Sequence, residues 1–108
     1  MPENISVADC VREGIEFAFE LTKNGGYRGD LYGSISKELK RKYYSIDGRT
    51  DRIVRSLYWV LTNKLDSPLE SIFFVNSASH EYIRKNDGFD KDRVFKTVID
   101  EYLTYIMS

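Results

Sequence analysis

Asp51 to Lys64 reads DRIVRSLYWVLTNK, and two spacings in it set the fold class. Ile53, Leu57, Val60 and Leu61 recur at the three- and four-residue steps of one helix face. Arg52, Arg55 and Trp59 stand at i, i+3 and i+7, on the opposite face. An amphipathic helix is therefore expected, capped at Thr50 or Asp51, with an apolar side anchored in a core and a side bearing two arginines turned outward. Its neighbourhood is basic. From Ile35 to Lys64 there are eight basic residues (Lys37, Lys40, Arg41, Lys42, Arg49, Arg52, Arg55, Lys64) against Glu38, Asp47 and Asp51, a local charge of +5. The rest of the chain is −6, although the whole carries a formal charge of only −1. Charge sorted by position in this way suits docking onto phosphate through one surface.

The same periodicity extends in both directions. Ser6 to Lys23 has an apolar face at Val7, Val11, Ile15, Ala18 and Phe19, with Ser6 and Asp9 as a capping box and Asn24-Gly25-Gly26 as its stop. A second helix is expected over about Ser34 to Tyr44, with Ile35 and Leu39 inward, ended by Asp47-Gly48. Ser67-Pro68-Leu69-Glu70 signals the start of a short helix running to about Val75. Asn76 to Gly88 reads as a loop, or as a loop holding a short helix near Ser79 to Lys85. Asp90 caps a last helix whose inward positions are Val94, Phe95, Val98, Ile99, Leu103 and Ile106. The expectation is an all-α, single-domain compact bundle of about five to six helices over residues 1–108.

Composition removes other classes. At 108 residues, 42% hydrophobic and 14% aromatic, the chain can bury a core and is not a disordered tail. No apolar run nears the roughly 20 residues that span a bilayer, and the N-terminus lacks a secretory pattern. With Cys10 as its single cysteine, the chain is expected in the cytoplasm. His80, the only histidine, has no Cys/His cluster around it for a zinc site. Gly25, Gly26, Gly29 and Gly33 lack the GK[ST] ending of a phosphate loop. Asp87, Asp90, Asp92, Asp100 and Glu101 lack calcium-loop spacing. No enzyme activity, metal, cofactor or small-molecule substrate is expected.

The second and third helices, roughly residues 34–64, form a candidate helix-turn-helix. In that motif the N-terminal part of the second helix meets base edges in the major groove. Arg52 and Arg55 occupy that part, and an arginine fork can pair with guanine O6 and N7. Lys37, Lys40, Arg41, Lys42 and Arg49 would pair with phosphates and set register. Trp59 could pack on thymine methyls. The turn, Ser45 to Arg49, is longer than the usual three or four residues.

Five stretches, in order, carry a family likeness. Cys10 to Phe19 is CVREGIEFAF, beside a family pattern YLREAIxxVY; Gly33 to Leu39 is GSISKEL, beside GSITKxL. Asp51 to Leu61, DRIVRSLYWVL, parallels SRVERAIRHAI, and Leu65 to Phe74, LDSPLESIFF, parallels IDSISSLF; Asp90 to Leu103 is similar to the last amphipathic helix. On these the chain resembles the C-terminal, DNA-binding effector domain of the master sporulation response regulator of endospore-forming bacteria. The resemblance implies a helix-turn-helix regulator that binds double-stranded DNA as a dimer or in tandem copies, with Arg52 and Arg55 at the recognition arginines. It includes no receiver domain, and the family's first helix has no counterpart before Ser6. Where the family has glutamate, a third arginine and histidine, this chain has Val54, Tyr58 and Trp59. Its LYPxIAxxF segment is replaced by Leu39-Lys40-Arg41-Lys42-Tyr43-Tyr44. These changes should alter or relax the preferred DNA box. The alternative from another class is an effector-like domain kept as a protein-interaction module, with Tyr58, Trp59 and the acidic remainder forming the contact.

Overall fold

Helical periodicity in the sequence becomes helices packed by their apolar faces. A computed structural model of the protein describes residues 2–22, 29–43, 49–64, 73–76, 81–84 and 90–107. Four helices lie among them: α1 (Pro2–Thr22), α2 (Leu31–Tyr43), α3 (Arg49–Trp59) and α4 (Lys91–Met107). α3 runs on into a π-helical turn, Val60–Lys64. The remaining described elements are two short antiparallel strands, β1 (Phe73–Asn76) and β2 (Glu81–Arg84). The fold is thus helical and compact, with a Cα radius of gyration of 13.3 Å, close to the ~13 Å of a folded chain of this size.

α3 occupies the middle of the arrangement. α1 packs behind it, and α2 and α4 flank it on either side. Its four buried positions, Thr50, Ile53, Val54 and Leu57, cover one arc of the helix. Val60 and Leu61 in the π turn extend that arc into the core. α2 contributes Leu31, Ile35 and Leu39; α1 contributes Cys10, Val11, Ile15 and Ala18. Gly14 sits where α1 meets both α2 and α3. A Cβ built there would lie 2.7 Å from Leu57 Cδ2 and 3.0 Å from Leu39 Cδ1, so a side chain at this position would push those leucines aside.

Caps and ties fix the helix ends. Asp30 caps α2: its Oδ1 accepts from Gly33 N–H at 2.9 Å and its carbonyl from Ser34 N–H at 2.9 Å. α2 therefore starts a turn before the expected Ser34. Asp90 caps α4 as expected, with Oδ1 3.2 Å from Arg93 N. Thr50 has a different role from the one expected. It lies inside α3, and its hydroxyl donates to the Tyr43 carbonyl at 3.0 Å, joining the end of α2 to the start of α3. The α1–α4 seam is polar at its rim: Arg12 stacks over Phe95 at 4.0 Å and Lys91 pairs with Glu16 at 3.1 Å.

Some expectations are corrected. α1 begins at Pro2, which leaves Ser6 inside the helix rather than capping it. Phe73 to Val75, expected as the end of a short helix, lie in β1, and Glu81–Arg84, within the stretch where a short helix near Ser79 to Lys85 was an option, form β2. Phe73, Phe74 and Val75 favour an extended chain, and pairing Phe74 with Ile83 and Val75 with Tyr82 satisfies backbone groups that a lone helical turn would leave open. In α4, Tyr102 rather than Leu103 faces inward: Tyr102 is 3% exposed and Leu103 44%. Val94, Val98 and Tyr102 follow steps of four, so the buried stripe drifts round the helix. The Asn24-Gly25-Gly26 stop, the Asp47-Gly48 break, the Ser67-Pro68-Glu70 start and His80 lie outside the described residues, as does the side chain of Ile106.

Cys10 is fully buried, and burial, aided by the Glu13 charge, pushes its thiol up to about 12. The thiolate is the reactive form. The native protein should therefore resist iodoacetamide at pH 8 and label only on unfolding in urea. Rapid stoichiometric labelling without denaturant would show that the α1 core is open.

Candidate nucleic-acid interface

Successive residues of α3 rotate by ~100°, so the buried arc leaves an outer face centred on Arg55 and Trp59 with Arg52 beside them. Arg55 is exposed and Trp59 is 47% exposed. Arg55 and Trp59 thus face outward as the i, i+3, i+7 spacing implied, whereas Arg52 is half-buried beside α4. Val54, by contrast, is fully buried and belongs to the core. Tyr58 turns to α2, where its ring meets Tyr32 edge-on at 5.1 Å and 86°. Burial raises its pKa, with the Asp30 charge adding to the effect.

The other flank of the outer face is made by α4. Arg52, Arg55, Ser56 and Trp59 share a cavity of about 260 Å3 with Glu101 and Tyr105. The Arg52 guanidinium carbon lies 3.8 Å from the centroid of the Tyr105 ring. Tyr105 was absent from the sequence-derived candidates, and Glu101 figured there only among acids without calcium-loop spacing. Both reach the site through packing of α4 against α3, which no local spacing signals.

The α2 cations are committed to varying degrees. Lys40 meets Asp51 of α3 at 2.7 Å, Arg41 meets Glu38 at 2.9 Å, and Lys42 meets Glu13 of α1 at 2.9 Å. Hydrogen bonding to Asp51 holds Lys40 above the ordinary lysine range, and Glu13 does the same for Lys42. Arg41 holds the Glu38 carboxyl below its usual value, chiefly through their hydrogen bond. All three cations stay charged at neutral pH. Because these pairs face solvent they are screened and weak. Lys37 is exposed with no ion pair among the described residues.

Arg49 is placed apart from the α2 cations. It lines a separate cavity of about 590 Å3 with Val7, Ala8, Phe95, Ile99, Tyr102 and Leu103, on the α1–α4 side of α3. Its charge opposes the upward effect of burial on Tyr102.

Among the described residues no group of three or more His, Cys, Asp or Glu could hold a metal ion, and no helix is long and apolar enough to cross a membrane. Comparison with protein-family models, curated proteins and solved structures finds no match to the chain.

Proposed function

We propose that the protein binds double-stranded DNA through the outer face of α3 and acts as a small transcriptional regulator, with α2 and α3 working as a helix-turn-helix. One observation carries this reading. Arg52, Arg55 and Trp59 line one cavity on the outer side of α3, where Arg55 and Trp59 are exposed and Arg55 has no ion pair among the described residues. A helix can enter the major groove, and an arginine fork there reads guanine O6 and N7. Lys37, Lys40, Arg41 and Lys42 lie on the neighbouring helix, suited to the phosphates beside the groove. Arg49 would reach a phosphate only from the α4 flank. The link to sporulation control, and binding as a dimer or in tandem, rest on the sequence resemblance to the effector domain.

Salt dependence tests the reading. Each neutralised phosphate contributes about −0.9 to the slope of log K against log salt, so engagement of about four phosphates gives a slope of roughly −3 to −4. A flat dependence, or no electrophoretic shift at low salt, removes the DNA assignment. A protein-interaction module is the second reading, favoured by one observation: Trp59 and Tyr105 are 47% and 45% exposed beside two arginines. Trp, Tyr and Arg are the residues that dominate protein interface energetics. A stable complex on size exclusion without a duplex shift would select it.

A further inference from the structure

The two arginines of the α3 face differ in their surroundings. Arg52 is half-buried and its guanidinium carbon sits 3.8 Å from the Tyr105 ring centroid. Arg55, one turn along, is exposed, with no cation–π stack or ion pair among the described residues. A guanidinium on an aromatic face is held by the ring quadrupole, while its N–H donors, lying in its own plane, remain available at the edges. Bidentate recognition of a base requires that plane to be set, whereas a phosphate tolerates many approaches of a flexible cation.

We propose that Tyr105 is a positioning residue that sets the Arg52 guanidinium plane for base recognition, so that Arg52 is the principal specificity-determining arginine and Arg55 acts mainly on the backbone. The inference rests on the DNA reading and deepens it. It assigns a part in recognition to α4, outside the helix pair.

The test uses the full chain, a random-sequence duplex pool and then the selected duplex with each single base-pair change. Tyr105→Leu is expected to reduce discrimination at one or two adjacent base pairs about two- to fivefold, the size of a cation–π contact at an exposed site. Its salt slope and melting temperature should match those of the wild type, and Tyr105→Phe should restore discrimination. Arg52→Lys should flatten preference at the same base pairs, and Arg55→Lys should leave preference intact. In the free protein, the Arg52 Nε–Hε resonance should be shifted upfield by the ring in the wild type and in Tyr105→Phe but not in Tyr105→Leu. If the wild type binds with sequence preference and Tyr105→Leu keeps it unchanged, the positioning role is overturned and the DNA reading stands. If the wild type binds no duplex, both fall. An unshifted Arg52 resonance in the wild type also overturns the proposal.

Discussion

Replacing Arg52 and Arg55 together by alanine is expected to abolish sequence-selective duplex binding while leaving the domain folded. A bidentate arginine–guanine pair, the contact assigned to Arg52, is worth about 1–3 kcal/mol, and loss of Arg55 removes a phosphate contact that lowers affinity for every sequence. The two side chains are a turn apart, so their effects need not add. Stability should change little. Neither side chain is in the core, and the contact removed is one exposed cation–π stack of about 0.5–1 kcal/mol. The check is a pair of measurements on one sample: duplex affinity at fixed salt, and urea unfolding. Binding that survives the double substitution would place the interface elsewhere on the molecule. Lost binding with lost stability would indicate instead that Arg52 buttresses α4 rather than reading DNA.

The second large effect concerns the layer behind the interface. Leu57 is fully buried on α3 and faces the gap at Gly14 of α1, where Leu39 of α2 also arrives. Leu57→Ala should cost about 2–5 kcal/mol, because the vacated volume is walled by backbone on one side and cannot collapse fully. Such a loss is large for a domain whose total stability is on the order of 5–15 kcal/mol. Gly14→Ala alone should destabilise, since its methyl would lie 2.7 Å from Leu57 Cδ2. In the Leu57→Ala background the sign should reverse. The methyl then occupies vacated space, and alanine in a helix interior is favoured over glycine by about 1 kcal/mol. A double-mutant cycle by urea unfolding should show this coupling. Simple additivity would mean that α1 and α3 are not held in contact at this point.

Much of this arrangement was legible from spacing alone, for a definable reason. Ile53, Leu57, Val60 and Leu61 alternate with Arg52, Arg55 and Trp59 at helical steps, and burying the first set necessarily exposes the second. The cap at Asp90 was equally local, because the residue that caps lies within one turn of the amides it satisfies. Where several local signals competed, the reading slipped. Thr50 could have capped α3, yet its hydroxyl serves the Tyr43 carbonyl, a partner that exists only once α2 has docked. Leu103 is more apolar than Tyr102, yet Tyr102 is buried because its position continues the Val94–Val98 stripe. Phe73 to Asn76 carried a helix signal just upstream and forms a strand, because Glu81 to Arg84 supplies a partner for its backbone.

The chain's order of residues, taken alone, determined that helices form, which side of each is apolar, and that two arginines and a tryptophan share a face of α3. Those outcomes depend on steps of three and four residues and on caps one turn away, interactions that a linear pattern contains in full. Tertiary packing decided what surrounds that face. It brought Tyr105 and Glu101 from the far end of the chain to Arg52, drew Lys40 to Asp51 and Lys42 to Glu13, and moved Arg49 to a different cavity. Such contacts join residues with no fixed relation in sequence. They arise only when the buried stripes of α1, α2 and α4 have all closed on α3, since that closure sets which exposed side chains become neighbours.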